Sequence, residues 1–167
     1  LCVSIIVAVK NEQNNIKKLV DSLLKQDYPN EQYEIIIVND NSNDDTYETL
    51  ESLENQITNL KIINAGKTPV DWSSKKWALN LAIKEAKFDI ILQTDGDCIV
   101  ESGWIKNMAQ SFNNPAIGFV AGHTPLICKS NNFLHNILGL DNLSQDAFIG
   151  ACISKGIPIS CVGRSIG

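Results

Sequence analysis

Phe88-Asp89-Ile90-Ile91-Leu92-Gln93-Thr94-Asp95-Gly96-Asp97 joins a short apolar run to two carboxylates that flank a glycine. The apolar part reads as a buried strand, rich in branched side chains and bounded by turn residues. The carboxylates then stand at its exit as a compact set of hard oxygen ligands. Magnesium and manganese prefer such oxygens, and they usually take one or two carboxylates with waters and substrate phosphates. Asp and Gly are equally the ordinary residues of a strand-ending turn. The motif therefore takes its meaning from its place in the chain.

Upstream, Val3 to Val9 and Tyr33 to Val38 read as buried strands, and Leu60 to Ile63 as a shorter one. Asp89 to Gln93 is the fourth strand, Ile117 to Ala121 is predicted as a fifth, and Ile159 to Val162 as a last short one. Between them apolar residues recur at helical spacing. Ile16, Leu19, Val20, Leu23 and Leu24 mark a helix that stops before Tyr28-Pro29. Tyr47, Leu50, Leu53 and Ile57 mark a second, 75–87 a third, Trp104 to Phe112 a fourth and 131–152 a fifth. The order is that of an α/β protein: a Rossmann-like, doubly wound, mostly parallel sheet with helices on both faces. Ligands bind such sheets at the carboxyl ends of strands, where the winding direction switches. The loops after strands one, two and four, Lys10–Asn15, Asn39–Asp45 and Asp95–Asp97, are rich in acids and amides and can face one crevice.

Composition narrows the function. The 167 residues are 44% hydrophobic and 20% charged, as in an ordinary globular domain, and form one domain by length. A net charge of −5 offers no basic face for a phosphate backbone, which excludes nucleic acid as the expected partner. Runs such as Ile5 to Val9 are far shorter than the roughly 18 residues that span a bilayer. Five cysteines at positions 2, 98, 128, 152 and 161 contain no Cys-x-x-Cys pair, a pattern of reduced thiols in a cytosolic setting. Leu1 adjoins a strand and Gly167 follows no terminating element, so residues 1–167 are expected to be a fragment of a longer protein.

Four segments, in order, resemble family 2 glycosyltransferases. Val3-Ser4-Ile5-Ile6-Val7-Ala8-Val9-Lys10-Asn11-Glu12 is similar to the family's opening V-S-I-I-I-P-x-Y-N-E. Ile35-Ile36-Ile37-Val38-Asn39-Asp40-Asn41-Ser42-Asn43-Asp44-Asp45-Thr46 resembles I-I-V-V-D-D-x-S-x-D-x-T. Lys75-Lys76-Trp77-Ala78-Leu79-Asn80 resembles G-K-x-x-A-L-N, and Asp95-Gly96-Asp97 falls where the family carries D-x-D. The resemblance implies a GT-A fold, a nucleotide-diphospho-sugar donor and Mn2+ or Mg2+. It implies that Ala8 and Glu12 line the nucleotide pocket and that Asp40 accepts a hydrogen bond from the base, the N3–H of a uracil. Lys75 would sit near base or phosphates, Asp95 near ribose and metal, and Asp97 on the metal.

Four positions depart from the family pattern: Ala8 for Pro, Lys10 for Tyr, Asn39 for Asp and Ser74 for Gly. Lys10 removes an aromatic stack from the base. The family's catalytic base is an acid in a later E-D or D-D pair, after a G-G-F segment, so no catalytic residue is assigned within 1–167. The expected reaction is inverting transfer of a sugar, from a UDP-sugar, to the hydroxyl of a glycan or lipid-linked acceptor. The expected location is cytoplasmic, with membrane association through other parts of the parent. Two alternatives stay open: a binding fragment that transfers nothing, and a haloacid-dehalogenase-like phosphotransferase using Asp95 as nucleophile. Trp72, Trp77, Trp104 and His123 read as structural, and Asp141 and Asp146 as a solvated helix face.

Overall fold

The computed structural model describes residues 1–125, 133–157 and 164–167. Strands β1 (Val3–Val9), β2 (Tyr33–Asn39), β3 (Leu60–Asn64) and β4 (Ile90–Thr94) are parallel, and β5 (Ser165–Ile166) is antiparallel to β4. Their order across the sheet is β3-β2-β1-β4-β5. Helices α1 (Ile16–Leu24), α2 (Thr46–Glu54), α3 (Ser74–Glu85), α4 (Trp104–Ala109) and α5 (Phe133–Ser154) complete the described elements.

Both faces of the sheet are covered, which is why its strands read as nearly continuous apolar runs. Val3, Ile5, Val7 and Val9 pack with Leu19, Leu23, Leu50, Ile105 and Met108 from α1, α2 and α4. Ile6, Ile36 and Val38 on the other face meet Ala78 and Ala82 of α3. Ser4 also faces this second side and is satisfied there: its hydroxyl donates to Glu34 and accepts from the Phe88 N–H at 3.1 Å.

The end of α1 is stapled to the start of α4. The buried Gln26 amide donates to the carbonyls of Ser22 (3.0 Å) and Glu101 (2.8 Å), and its oxygen accepts the Ile105 N–H at 3.0 Å. Beside it the Ser22 hydroxyl accepts the Val100 N–H at 3.2 Å.

Two expectations change. Ile117 to Ala121 is not a strand; only Ala121 pairs, in an isolated antiparallel bridge to Ile166. The free edge of β4 is taken by Ser165–Ile166, so the 117–121 segment meets the sheet only across that short strand, through reciprocal Val120–Gly167 backbone bonds of 2.8 Å. The fifth strand thus follows α5 instead of preceding it. The strand expected at 159–162 lies outside the described residues. Asp146, expected to be solvated, meets His123 Nδ1 at 2.7 Å, whereas Asp141 accepts from Gln145 one turn on at 2.7 Å. Among the described residues no helix is long and apolar enough to cross a membrane.

Leu23 is fully buried under the sheet and Leu140 is 67% exposed on α5. Leu23→Ala is expected to cost about 2–5 kcal/mol, and Leu140→Ala to stay within about 0.5 kcal/mol. Urea unfolding midpoints at unchanged m-value check both.

Candidate functional site

The winding switches between β1 and β4, and a cleft of about 350 Å³ opens at their carboxyl ends. Ala8 and Val9 line it from the end of β1, Lys10 and Glu12 from the loop after it, Asp40 from just beyond β2, Ser74 and Lys75 from α3, and Asp95, Gly96 and Asp97 from the turn after β4. All six residues singled out in the sequence, Ala8, Glu12, Asp40, Lys75, Asp95 and Asp97, therefore share one cleft. Val9, Lys10, Ser74 and Gly96 join them without having been assigned a role.

Loops 10–15 and 39–46 hold each other. The Asn11 N–H donates to the Ser42 hydroxyl (3.0 Å) while the Asn43 N–H donates to the Asn11 side chain (2.8 Å). The Gln13 N–H reaches Asp44 (3.2 Å), the Asp45 N–H reaches the Gln13 side chain (3.2 Å), and the Glu12 N–H reaches the Thr46 hydroxyl (2.8 Å). Asn11 and Asn41 adopt φ of 56° and 52°, a left-handed conformation that Asn tolerates better than most residues. The amides and hydroxyls of these loops mostly serve the cross-loop bonds. Asp44 accepts the first N–H of α2, from Thr46 at 3.1 Å.

Asp40 is 4% exposed, yet its carboxylate receives little. Among the described residues it has a long contact from the Asn41 amide at 3.4 Å and the Lys10 ammonium at 3.9 Å. A buried carboxylate normally gathers several strong donors, because leaving it short costs a large part of its hydration. No buried side-chain oxygen lacks a partner among the described residues, so the Asp40 oxygen that Asn41 does not reach is open, and Asp40 lines the cleft.

The acidic pair sits in a tight turn, closed by the Cys98 N–H on the Asp95 carbonyl at 3.2 Å. Gly96 is required there: a Cβ would lie 2.9 Å from Val9 Cγ1 and 3.1 Å from Glu12 Cγ. Asp95 accepts from Lys75 Nζ at 2.8 Å, whereas Asp97 is exposed and receives only the Cys98 thiol at 3.9 Å among the described residues. Burial, reinforced by the Asp97 and Asp95 carboxylates, raises the Cys98 pKa and keeps the thiol protonated, unlike an activated nucleophile. Trp77 donates to the Ala65 carbonyl at 2.9 Å and Trp104 to the Ser165 hydroxyl at 2.9 Å, both as packing residues. Trp72 stands edge-on to Trp77 with ring centroids 5.6 Å apart.

The donor set suits a divalent cation shared with a ligand. No cluster of three or more His, Cys, Asp or Glu side chains able to hold a metal occurs among the described residues. Asp95 and Asp97 alone are the one or two carboxylates that magnesium or manganese takes when phosphates supply the rest.

Solved structures define the class. A crystal structure of S. aureus TarS 1-349 in complex with UDP-GlcNAc matches 72% of this chain and 34% of its own, with a TM-score of 0.61 and 26% identity. The mannosyltransferase PcManGT from Pyrobaculum calidifontis, in complex with GDP-Man and Mn2+, shares the fold over 81% of this chain and 38% of its own (TM-score 0.62, 24% identity). The architecture is that of the GT-A glycosyltransferases. The chain belongs to glycosyl transferase family 2, whose model matches residues 4–157. It is 33% identical over 131 residues to a beta-monoglucosyldiacylglycerol synthase of Trichormus variabilis, covering 78% of this chain. It is 30% identical over 158 residues to a poly-beta-1,6-N-acetyl-D-glucosamine synthase of Staphylococcus epidermidis, covering 92% of this chain. The chain spans 28% and 34% of the length of these two relatives.

Two outcomes follow from this geometry. Gly96→Ala is expected to lift the acidic turn off Val9 and lower the melting temperature by several degrees, as about 1–3 kcal/mol of overpacking would. Partial burial alone would raise the Asp44 pKa, but hydrogen bonds from the Thr46 hydroxyl and the Gln13 and Thr46 N–H groups outweigh it, so the carboxyl lies below the ordinary Asp value. A depressed folded pKa gives stability that is fully present above the unfolded value, about 3.9, and is lost as pH falls through the folded one. Asp44→Asn is therefore expected to flatten the decline in stability below about pH 4, measured by urea unfolding across pH.

Proposed function

We propose that this chain is the donor-binding part of an inverting glycosyltransferase, which moves a sugar from a UDP-sugar to the hydroxyl of a glycan or lipid-linked acceptor. The Asp40 carboxylate carries the reading, because it lines the same cleft as the acidic turn, with one oxygen bonded by the Asn41 amide and the other open. A uracil N3–H would supply the missing donor. The UDP-GlcNAc bound to the related TarS structure supports that donor class. The relatives' names, a monoglucosyldiacylglycerol synthase and a poly-N-acetylglucosamine synthase, support a lipid or glycan acceptor; a cytoplasmic site at the membrane face is part of the same proposal.

Charge decides how a diphosphate could bind. Four carboxylates, Glu12, Asp40, Asp95 and Asp97, line the cleft against two lysines, Lys10 and Lys75. An anionic diphosphate entering alone would be repelled, and Asp97 with Asp95 would hold the Mn2+ or Mg2+ that reverses this. When bound, the ion neutralises the diphosphate leaving group as a Lewis acid. Lys75 holds one Asp95 oxygen in place, and Gly96 lets the turn lie against β1. In this reading the general base that deprotonates the acceptor belongs to the acceptor-binding part of the parent, outside residues 1–167.

UDP with Mn2+ is expected to raise the melting temperature, since a ligand that binds only the folded state at a hundredfold excess over its Kd stabilises by about 2.7 kcal/mol. Asp97→Ala should abolish the metal-dependent part of that rise. A melting curve unmoved by UDP and GDP, with or without Mn2+, would refute the proposal.

A further inference from the structure

The mouth of the cleft holds a second polar pair, Lys10 and Asp40, joined only as a loose ion pair. Lys10 is the first residue beyond β1 and Asp40 the first beyond β2, and the parallel register ends on Val9 opposite Asn39. The Asp40 N–H donates to the Val9 carbonyl at 2.8 Å, which fixes the two residues side by side. Their charged groups nevertheless stand 3.9 Å apart, too far for a hydrogen bond. An ammonium can only donate and a carboxylate can only accept, so this loose ion pair leaves the half-exposed Lys10 donors and the second Asp40 oxygen able to bond a ligand in the same space.

We infer that Lys10 and Asp40 together read the lactam edge of a nucleotide base, with Lys10 as a specificity-determining residue; this rests on the nucleotide-donor reading above. An adjacent carbonyl oxygen and ring N–H, as in uracil or guanine, present an acceptor to Lys10 and a donor to Asp40. Cytosine and adenine present the reverse: an amino group toward the ammonium and a bare ring nitrogen toward the carboxylate. The diphosphate, held at the Asp95–Asp97 turn, keeps the base from sliding one atom along to exchange partners. A site built to pair a polar edge discriminates strongly against the analogue that leaves its groups unpaired. Lys10 thereby substitutes edge recognition for the ring stacking that an aromatic residue would give at its position.

Isothermal titration of the full chain with UDP and CDP in the presence of Mn2+ tests this, and the same comparison with GDP and ADP covers a purine site. The unsubstituted chain is expected to prefer UDP to CDP, or GDP to ADP, at least about tenfold, one good polar pair being of that order. Lys10→Met should shrink that ratio about fivefold or more while diphosphate binding persists, and Lys10→Arg, which keeps the donor, should restore most of it. Equal losses for UDP and CDP in Lys10→Met would place the lysine on the phosphates and overturn the inference. So would a chain that binds both without preference. If no nucleotide diphosphate binds the unsubstituted chain, the donor reading falls, and this inference with it.

Discussion

A parallel sheet sends every strand end to the same edge, and the backbone groups of the loops there must find partners outside the ladder. In this chain the loops after β1 and β2 find them in each other. Asn11 and Gln13 lend side chains to the second loop, and Ser42, Asp44 and Thr46 lend theirs to the first. Each loop is thus the template for the other, and neither has its observed shape alone. Backbone donors left unpaired at this partly buried edge would each cost on the order of 1–3 kcal/mol. The reciprocal bonding removes that cost and fixes where Lys10, Glu12 and Asp40 emerge.

The third loop is fitted by shape. The Asp95–Cys98 turn lies against Val9 and Glu12 at a distance that only a glycine allows, so the acidic pair is set by contact with β1. Two unlike devices, a hydrogen-bonded clasp and a steric fit, therefore converge on the same strand end. Their products differ in kind. The clasp presents a carboxylate that is buried but for one open oxygen, and the steric fit presents one that is exposed. The first suits a directional contact to a neutral N–H, the second a cation that keeps part of its water.

Much of this was legible in the sequence, for reasons that can be named. Strands β1, β2 and β4 are short apolar runs with turn residues at their ends, and the spacing of Ile16, Leu19, Val20 and Leu23 admits one helix face. The candidate site was legible because motif residues stand at strand ends, where the topology gathers them. What sequence pattern could not convey was pairing. Ile117 to Ala121 has the composition of a strand, but the edge it would join is occupied by Ser165–Ile166, two residues with no strand signature of their own. Lys10 was visible as a departure from a motif; that it lies beside Asp40, just past the last paired residues Val9 and Asn39, required the sheet.

The Gln26 staple has a bearing on how this domain can be altered. The segment carrying Asp97 leaves the sheet at Thr94 and is fastened again at Val100, Glu101 and Ile105 by Ser22 and Gln26. It is a strap of fixed length, tied at both ends to buried structure. An added residue there has no slack to occupy and must raise the strap itself. The loop between β3 and α3 is held at Gly66 by the Asn41 amide and at Trp72 by Trp77, and between these points Val70 is fully exposed at its crest. Peptide tags, reporter insertions and new chain termini are tolerated best at exposed loop tips of that kind. A redesign of this protein should extend the chain around Val70 and leave the length from Thr94 to Val100 untouched.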